Sequence, residues 1–171
     1  MGHTIVAGFQ QESAQMLYHL TQGHNANKIP FGRNCDREDA NRVLDYHMTL
    51  FHWGKAEDSL YLPRLEHFSS TPFELLVTGV KMSHARENSW LLYLQVQPTP
   101  SYRNLAGLLE AQLQAPTSGF LHITLAISKD LGEIRALYED VCRRAAFPLT
   151  LTADRLDLYH IWTPTVKVRS F

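Results

Sequence analysis

Two histidines in this chain each stand two residues before a threonine and three before a leucine, in His47-Met48-Thr49-Leu50 and again in His122-Ile123-Thr124-Leu125, 75 positions later. Imidazole titrates near pH ~6.5, so one ring can be neutral while a second is protonated in the same site. Such a pair can remove a proton from an attacking water or hydroxyl and deliver another to a leaving ribose oxygen. A threonine hydroxyl beside each ring is a short donor suited to a non-bridging phosphate oxygen as charge shifts in the transition state. Two imidazoles and two hydroxyls gathered on one spot would make a phosphoryl-transfer site with no metal. His47, His122, Thr49 and Thr124 are therefore the candidate catalytic residues, and the sequence leaves open which histidine is the acid.

Both tetrapeptides lie in apolar runs rich in aromatic and β-branched residues, the composition of buried strands. Side chains alternate across a strand, so His47 and Thr49 share one face, as do His122 and Thr124, with Met48, Leu50, Ile123 and Leu125 turned to the core. His52 follows His47 by five positions, which in a regular strand puts it on the opposite face. No Cys-x-x-Cys or His-x-x-x-His spacing accompanies the histidines, so neither a metal nor a cofactor is expected.

Two H-x-[ST]-h motifs, h being hydrophobic, resemble the signature of the 2H phosphoesterase superfamily, the 2′-5′ RNA ligase-like and cyclic-nucleotide phosphodiesterase proteins. The resemblance extends over most of the chain. It implies an α+β fold of two pseudo-symmetric lobes of antiparallel β-sheet with outer helices around a central cleft, each lobe supplying one His-x-Thr strand. It also implies a phosphodiesterase acting on a 2′,3′-cyclic phosphate or a 2′-5′ linkage of an RNA-type substrate, with the reverse ligation possible in principle. Alternatives are an RNA-end exonuclease using the same histidines, and a nucleotide- or RNA-binding module with the cleft but no turnover. Some family members carry an aromatic shortly after the second motif, where this chain has Ala126-Ile127-Ser128-Lys129.

The elements around the motifs follow from periodicity. A strand over 3–9 precedes a helix from about Gln11 to Gly23. The stretch 24–42 is polar and aperiodic and reads as a long loop or lid; within it Lys28, Arg33 and Arg42 could meet a second phosphate. The first motif strand spans 43–53, and a short helix with Pro63 spans 59–68. Strands 73–81 and 90–96 follow, then a helix carrying Leu105, Leu108, Leu109 and Leu113, the second motif strand 120–128, and a helix over 131–146 with Cys142 on its apolar side. The last 25 residues read as two strands turning near Asp154 or at Thr163-Pro164. The order β-α-β-β-β-α-β-α-β-β has no Gly-rich dinucleotide fingerprint, which disfavours a doubly wound parallel sheet. Base recognition calls for an aromatic platform, for which Phe9 and Tyr159 are the candidates.

Composition bounds the rest. The 171 residues suit one two-lobed domain over 1–171, and 44% hydrophobic with 19% charged residues excludes a disordered chain. A net charge of −1 disfavours coating of long nucleic acid and favours a small nucleotide or RNA-end substrate. No apolar run is long enough for a membrane span and no secretion signal is recognisable, so a cytoplasmic protein is expected. Cys35 and Cys142 would then be unpaired thiols, and a monomer is the expected state.

Overall fold

The computed structural model describes residues 2–24, 46–85, 88–161 and 166–170. Of the sequence expectations, the 24–42 loop beyond its first residue, with Lys28, Arg33, Cys35 and Arg42, lies outside the described residues, as does the Thr163-Pro164 turn. Among the described residues there are seven strands: β1 (Gly2–Phe9), β2 (His47–Gly54), β3 (Phe73–His84), β4 (Trp90–Pro98), β5 (His122–Ser128), β6 (Leu149–Ile161) and β7 (Val166–Ser170). Four α-helices join them: α1 (Gln11–Thr21), α2 (Asp58–Tyr61), α3 (Pro100–Leu113) and α4 (Leu131–Arg144).

Every strand pairing is antiparallel. The sheet order is β1-β2-β5-β4-β3-β6-β7, and β1 also pairs with β6, so six strands form a closed circuit. Within that circuit the chain repeats itself. The unit β1–α1–β2, an antiparallel pair joined through a helix, recurs as β4–α3–β5. Each unit takes a third strand on its outer edge, β6 beside β1 and β3 beside β4. The two lobes meet at β2 and β5, which pair at the single rung Met48–Ile123, and at β3 and β6.

One face of the sheet carries the core. Ile5, Ala7, Met48, Leu75, Leu92, Leu94, Ile123, Leu151 and Leu156 are completely buried, under α1, α3 and α4. The helices begin where local chemistry demands. Thr99 accepts the amide of Tyr102 at 3.2 Å ahead of Pro100 in α3, and Asp130 accepts the amides of Gly132 and Glu133 ahead of α4, satisfying donors the first helical turn leaves open. Their apolar stripes, Leu105, Leu109 and Leu113 in α3 and Ile134, Leu137 and Val141 in α4, are buried. Cys142 is instead exposed and in no disulfide, because it lies one residue, about 100° of helix, past the buried Val141.

Two element readings change. The helix expected over 59–68 is broken into α2 flanked by 3-10 turns at Lys55–Glu57 and Pro63–Leu65, since Pro63 lacks an amide to continue the ladder. No turn occurs at Asp154, which lies inside β6. Gly8 pairs with Arg155 and Phe9 with Ala153, so Asp154 is the extra residue of a β-bulge. A polar residue there reads in sequence like a turn.

Candidate active site

The site is built by register. Met48 opposite Ile123 in an antiparallel pair places His47 across from Thr124 and Thr49 across from His122. Each histidine therefore faces the other strand's threonine. Directly opposite Cβ atoms lie ~4.5–5.5 Å apart and diagonal ones ~7–8 Å, and the register makes the two histidines diagonal neighbours across the pair. All four side chains are partly exposed while Met48, Leu50, Ile123 and Leu125 are buried, the alternation that strand parity predicts.

That alternation breaks just beyond each motif, at the same place in both copies. Val6 pairs with Thr49 and Ile5 with Phe51, so Leu50 is an extra residue in β2. Tyr93 pairs with Thr124 and Leu92 with Ala126, so Leu125 is an extra residue in β5. The bulge shifts the phase by one. His52 pairs with Thr4, on the face that Val6 and Thr49 share, and so returns to the side of His47 instead of facing away from it. The exposed Ile127, opposite Leu91, is placed the same way in the second lobe.

Rungs across the sheet name the rest of this face. Arg155, Gly8 and His47 lie in one row, Asp157, Val6 and Thr49 in the next, and Tyr159, Thr4 and His52 beyond. Tyr159 is thus on the histidine face of β6 and half-buried. Phe9 is not available: it is 3% exposed within the core, so neither face of its ring can receive a base. The bulge at Asp154 separates its register from that of Gly8.

His122 is held in a defined tautomer. Its Nδ1 lies 3.1 Å from the carbonyl oxygen of Phe120, an atom that can only accept, so Nδ1 carries the hydrogen and Nε2 is the nitrogen with a lone pair to offer. The ring of Phe120 stacks on that imidazole, centroids 4.5 Å apart and planes at 29°, and Tyr93 meets His122 edge-on at 5.6 Å. Phe120 is 53% exposed: one face of its ring covers His122, Tyr93 meets it at a steep angle with centroids 5.4 Å apart, and the remainder reaches solvent. It shares parity with His122 and Thr124, and that was the signal in the sequence. Arg155 and Asp157 likewise share the parity of Tyr159.

At the start of β2, the hydroxyls of Thr21 and Tyr46 are 2.5 Å apart. Thr21 spends its own hydrogen on the carbonyls of Leu17 and Tyr18, each at 3.3 Å, so Tyr46 is the donor. Burial pushes the Tyr46 phenol up to about 12, and Thr21, which can turn to donate to a phenolate, offsets part of that rise. At the other end of β2, Asp58 accepts Trp53 Nε1–H at 2.9 Å and meets His3 Nδ1 at 2.8 Å. The motif strand is anchored at both ends.

A shallow depression of about 410 Å³ lies elsewhere, between α3 and the segment 117–121. Its carboxylate, Glu110, is already engaged by the amide and hydroxyl of Thr117 at 2.8 and 2.7 Å, and it brings no pair of titratable rings together.

By sequence, no family model and no curated protein matches this chain. By structure, it superposes over 99% of its length on 95% of Escherichia coli LigT complexed with phosphate, with a TM-score of 0.53 and 14% identity. TT0787 of Thermus thermophilus matches over 100% of this chain and 97% of its own, with a TM-score of 0.57 and 15% identity. Kluyveromyces marxianus Usb1 with uridine monophosphate matches over 98% and 96%, at 0.50 and 11%. The chain shares the α+β fold of these structures. In this chain the fold takes the form of two antiparallel lobes with outer helices, and each lobe carries one His-x-Thr strand.

Proposed function

We propose that this protein is a metal-independent phosphodiesterase that hydrolyses a 2′,3′-cyclic phosphate or a 2′-5′ phosphodiester of an RNA-type substrate. The observation that carries the reading is the Met48–Ile123 rung, which sets each histidine across from the other strand's threonine. Support for a nucleotide in the cleft comes from the solved structures that share the fold, among them LigT with ATP, 3′-AMP and NADP+ and Usb1 with uridine monophosphate.

For a cyclic phosphate, the scissile group lies between β2 and β5 with its non-bridging oxygens on Thr49 and Thr124. One neutral imidazole takes a proton from water as its oxygen bonds to phosphorus. The bond from phosphorus to one ribose oxygen breaks, and the other imidazole, protonated, gives that oxygen its hydrogen. The product is a ribose phosphomonoester with one new hydroxyl. His122 exchanges its proton through Nε2 while Nδ1–H stays on the Phe120 carbonyl. The outer face of Phe120 is the platform for a base on this side of the cleft, and Tyr159 lines the other lobe.

The test is turnover in chelator of a panel of 2′,3′-cyclic nucleotides and 2′-5′ and 3′-5′ dinucleotides, with His47→Ala, His122→Ala and the double variant. Each single change should lower kcat by ~10²–10⁴-fold. The double should cost far less than their product, because groups acting in one transition state are non-additive. Full turnover in either single variant would refute the two-histidine mechanism.

A further inference from the structure

Arg155 reaches across the sheet toward the histidine. It pairs with Gly8 in β1, and Gly8 in turn pairs with His47 in β2. A Cβ added at Gly8 would stand 2.7 Å from Arg155 Nε and 2.8 Å from its Cζ, so the guanidinium lies directly over that residue and would have to shift for any larger side chain there. Neighbouring strands are ~4.8 Å apart, which puts the guanidinium one strand spacing from β2. Its plane is fixed: Nε donates to Asp157 Oδ2 at 3.2 Å, and Nη1 donates to the Phe9 carbonyl at 3.0 Å and to Asp154 Oδ1 at 3.2 Å. The Asp157 side chain is 3% exposed and that of Arg155 is 33% exposed, so the carboxylate is sealed beneath the arginine while the guanidinium reaches solvent. Among the described residues, Arg155 is the permanent cation that β6, β1 and β2 bring to this face.

We infer that Arg155 binds a second anionic group of the substrate, the phosphate adjoining the scissile one, on the side of His47 away from His122. The inference rests on the phosphodiesterase reading. A scissile phosphate between β2 and β5 is separated from Arg155 by the imidazole of His47, so the arginine is placed for a different anion. In an RNA end bearing a 2′,3′-cyclic phosphate, that anion is the 5′-phosphate of the terminal nucleotide. Because Asp157 and Asp154 together offset the charge, recognition is by directed N–H bonds from a pre-oriented planar fork.

The experiment compares calorimetric binding of a nucleoside 2′-monophosphate and of the corresponding 2′,5′-bisphosphate, with turnover of the cyclic phosphate with and without a 5′-phosphate measured in parallel. Arg155→Gln is paired with Asp157→Asn so that no buried charge is stranded. Gly8→Ala retains the arginine and displaces it, with thermal melting to confirm folding; Arg155→Lys keeps the charge but loses the fork and is read where Gly8→Ala does not fold. The wild type should bind the bisphosphate about 10- to 100-fold more tightly, the range charge-assisted hydrogen bonds supply. Each variant should bring the two ligands within about twofold of each other, and combining Gly8→Ala with the arginine change should remove no more. Equal binding of the two ligands by the wild type, or variants that weaken both ligands equally, would overturn the inference. A wild type that discriminates between the ligands but turns over neither cyclic substrate would uphold the anion site and refute the hydrolase reading instead.

Discussion

Tyr46, the residue before the first motif histidine, gives a pH signature that can be worked out in advance. Its phenol is 5% exposed and is held up to about 12 by burial, against an ordinary value of 10.0. Below pH 10 the phenol is protonated in both folded and unfolded chains and contributes no slope. Between 10 and 12 the unfolded chain loses its proton first, so stability falls with rising pH, by ~1.4 kcal/mol per unit and ~2.7 kcal/mol in all. Tyr46→Phe removes that slope together with the bond to Thr21, whose hydroxyl remains on the helix carbonyls. The lost bond costs ~1 kcal/mol. The wild type should therefore be the more stable protein at pH 8, the two should cross near pH ~11, and the variant should lead above it. Urea unfolding of both proteins from pH 8 to 12 measures the difference, in which the other tyrosines and the lysines cancel. A gap that does not change with pH would show that the phenol ionises as readily in the folded protein, and would refute the burial account.

Phe120→Ala should raise KM for a nucleotide substrate by about 10- to 100-fold, from a stacking loss of ~1–3 kcal/mol per base, with kcat changing much less; steady-state kinetics decides. The carboxyl of Asp140 is held below its ordinary range first by His24, at 2.7 Å, and then by Arg143 and Arg144. The stability it adds is present above the usual carboxylate pKa and is lost as pH falls through its lowered value. Melting temperatures of the wild type and Asp140→Asn should thus differ at pH 7 and converge as the pH falls below the usual carboxylate range. Ile123→Ala, at the buried rung beneath the site, should cost ~2–5 kcal/mol in chemical unfolding and lower activity by loosening the seam between the histidines.

The motif strands were legible because both chemistry and core obey one simple period. His47 and Thr49, like His122 and Thr124, alternate with core residues, and that pattern needs no tertiary information. The same rule failed at His52 for a physical reason. A bulge adds one residue to one strand, and whether a leucine is bulged depends on its partner strand, which the linear pattern does not contain. Phe9 failed because a residue at a strand end can turn to either side, and the Asp154 bulge decided it. Phe120, Arg155 and Asp157 obey parity within stretches that read as strands, but none of them belongs to a His-x-Thr motif. The room over Gly8 could not be read at all, since it exists only once β6 lies beside β1.

The closed circuit of strands has a consequence for how the molecule forms. The β3–β4 hairpin and the packing of α3 and α4 on their lobe close short stretches of chain. The rung Met48–Ile123 and the pairing of Gly2 with Ile161 instead join segments far apart in sequence, and closing such long loops costs more entropy and slows folding. The cleft depends on both. Refolding should therefore protect the amides of β3, β4 and α3 from exchange before those of β1 and β2, and catalytic competence should return only with the second group. A chain stalled between these stages would carry both histidine motifs, helices formed around one of them, and no active site.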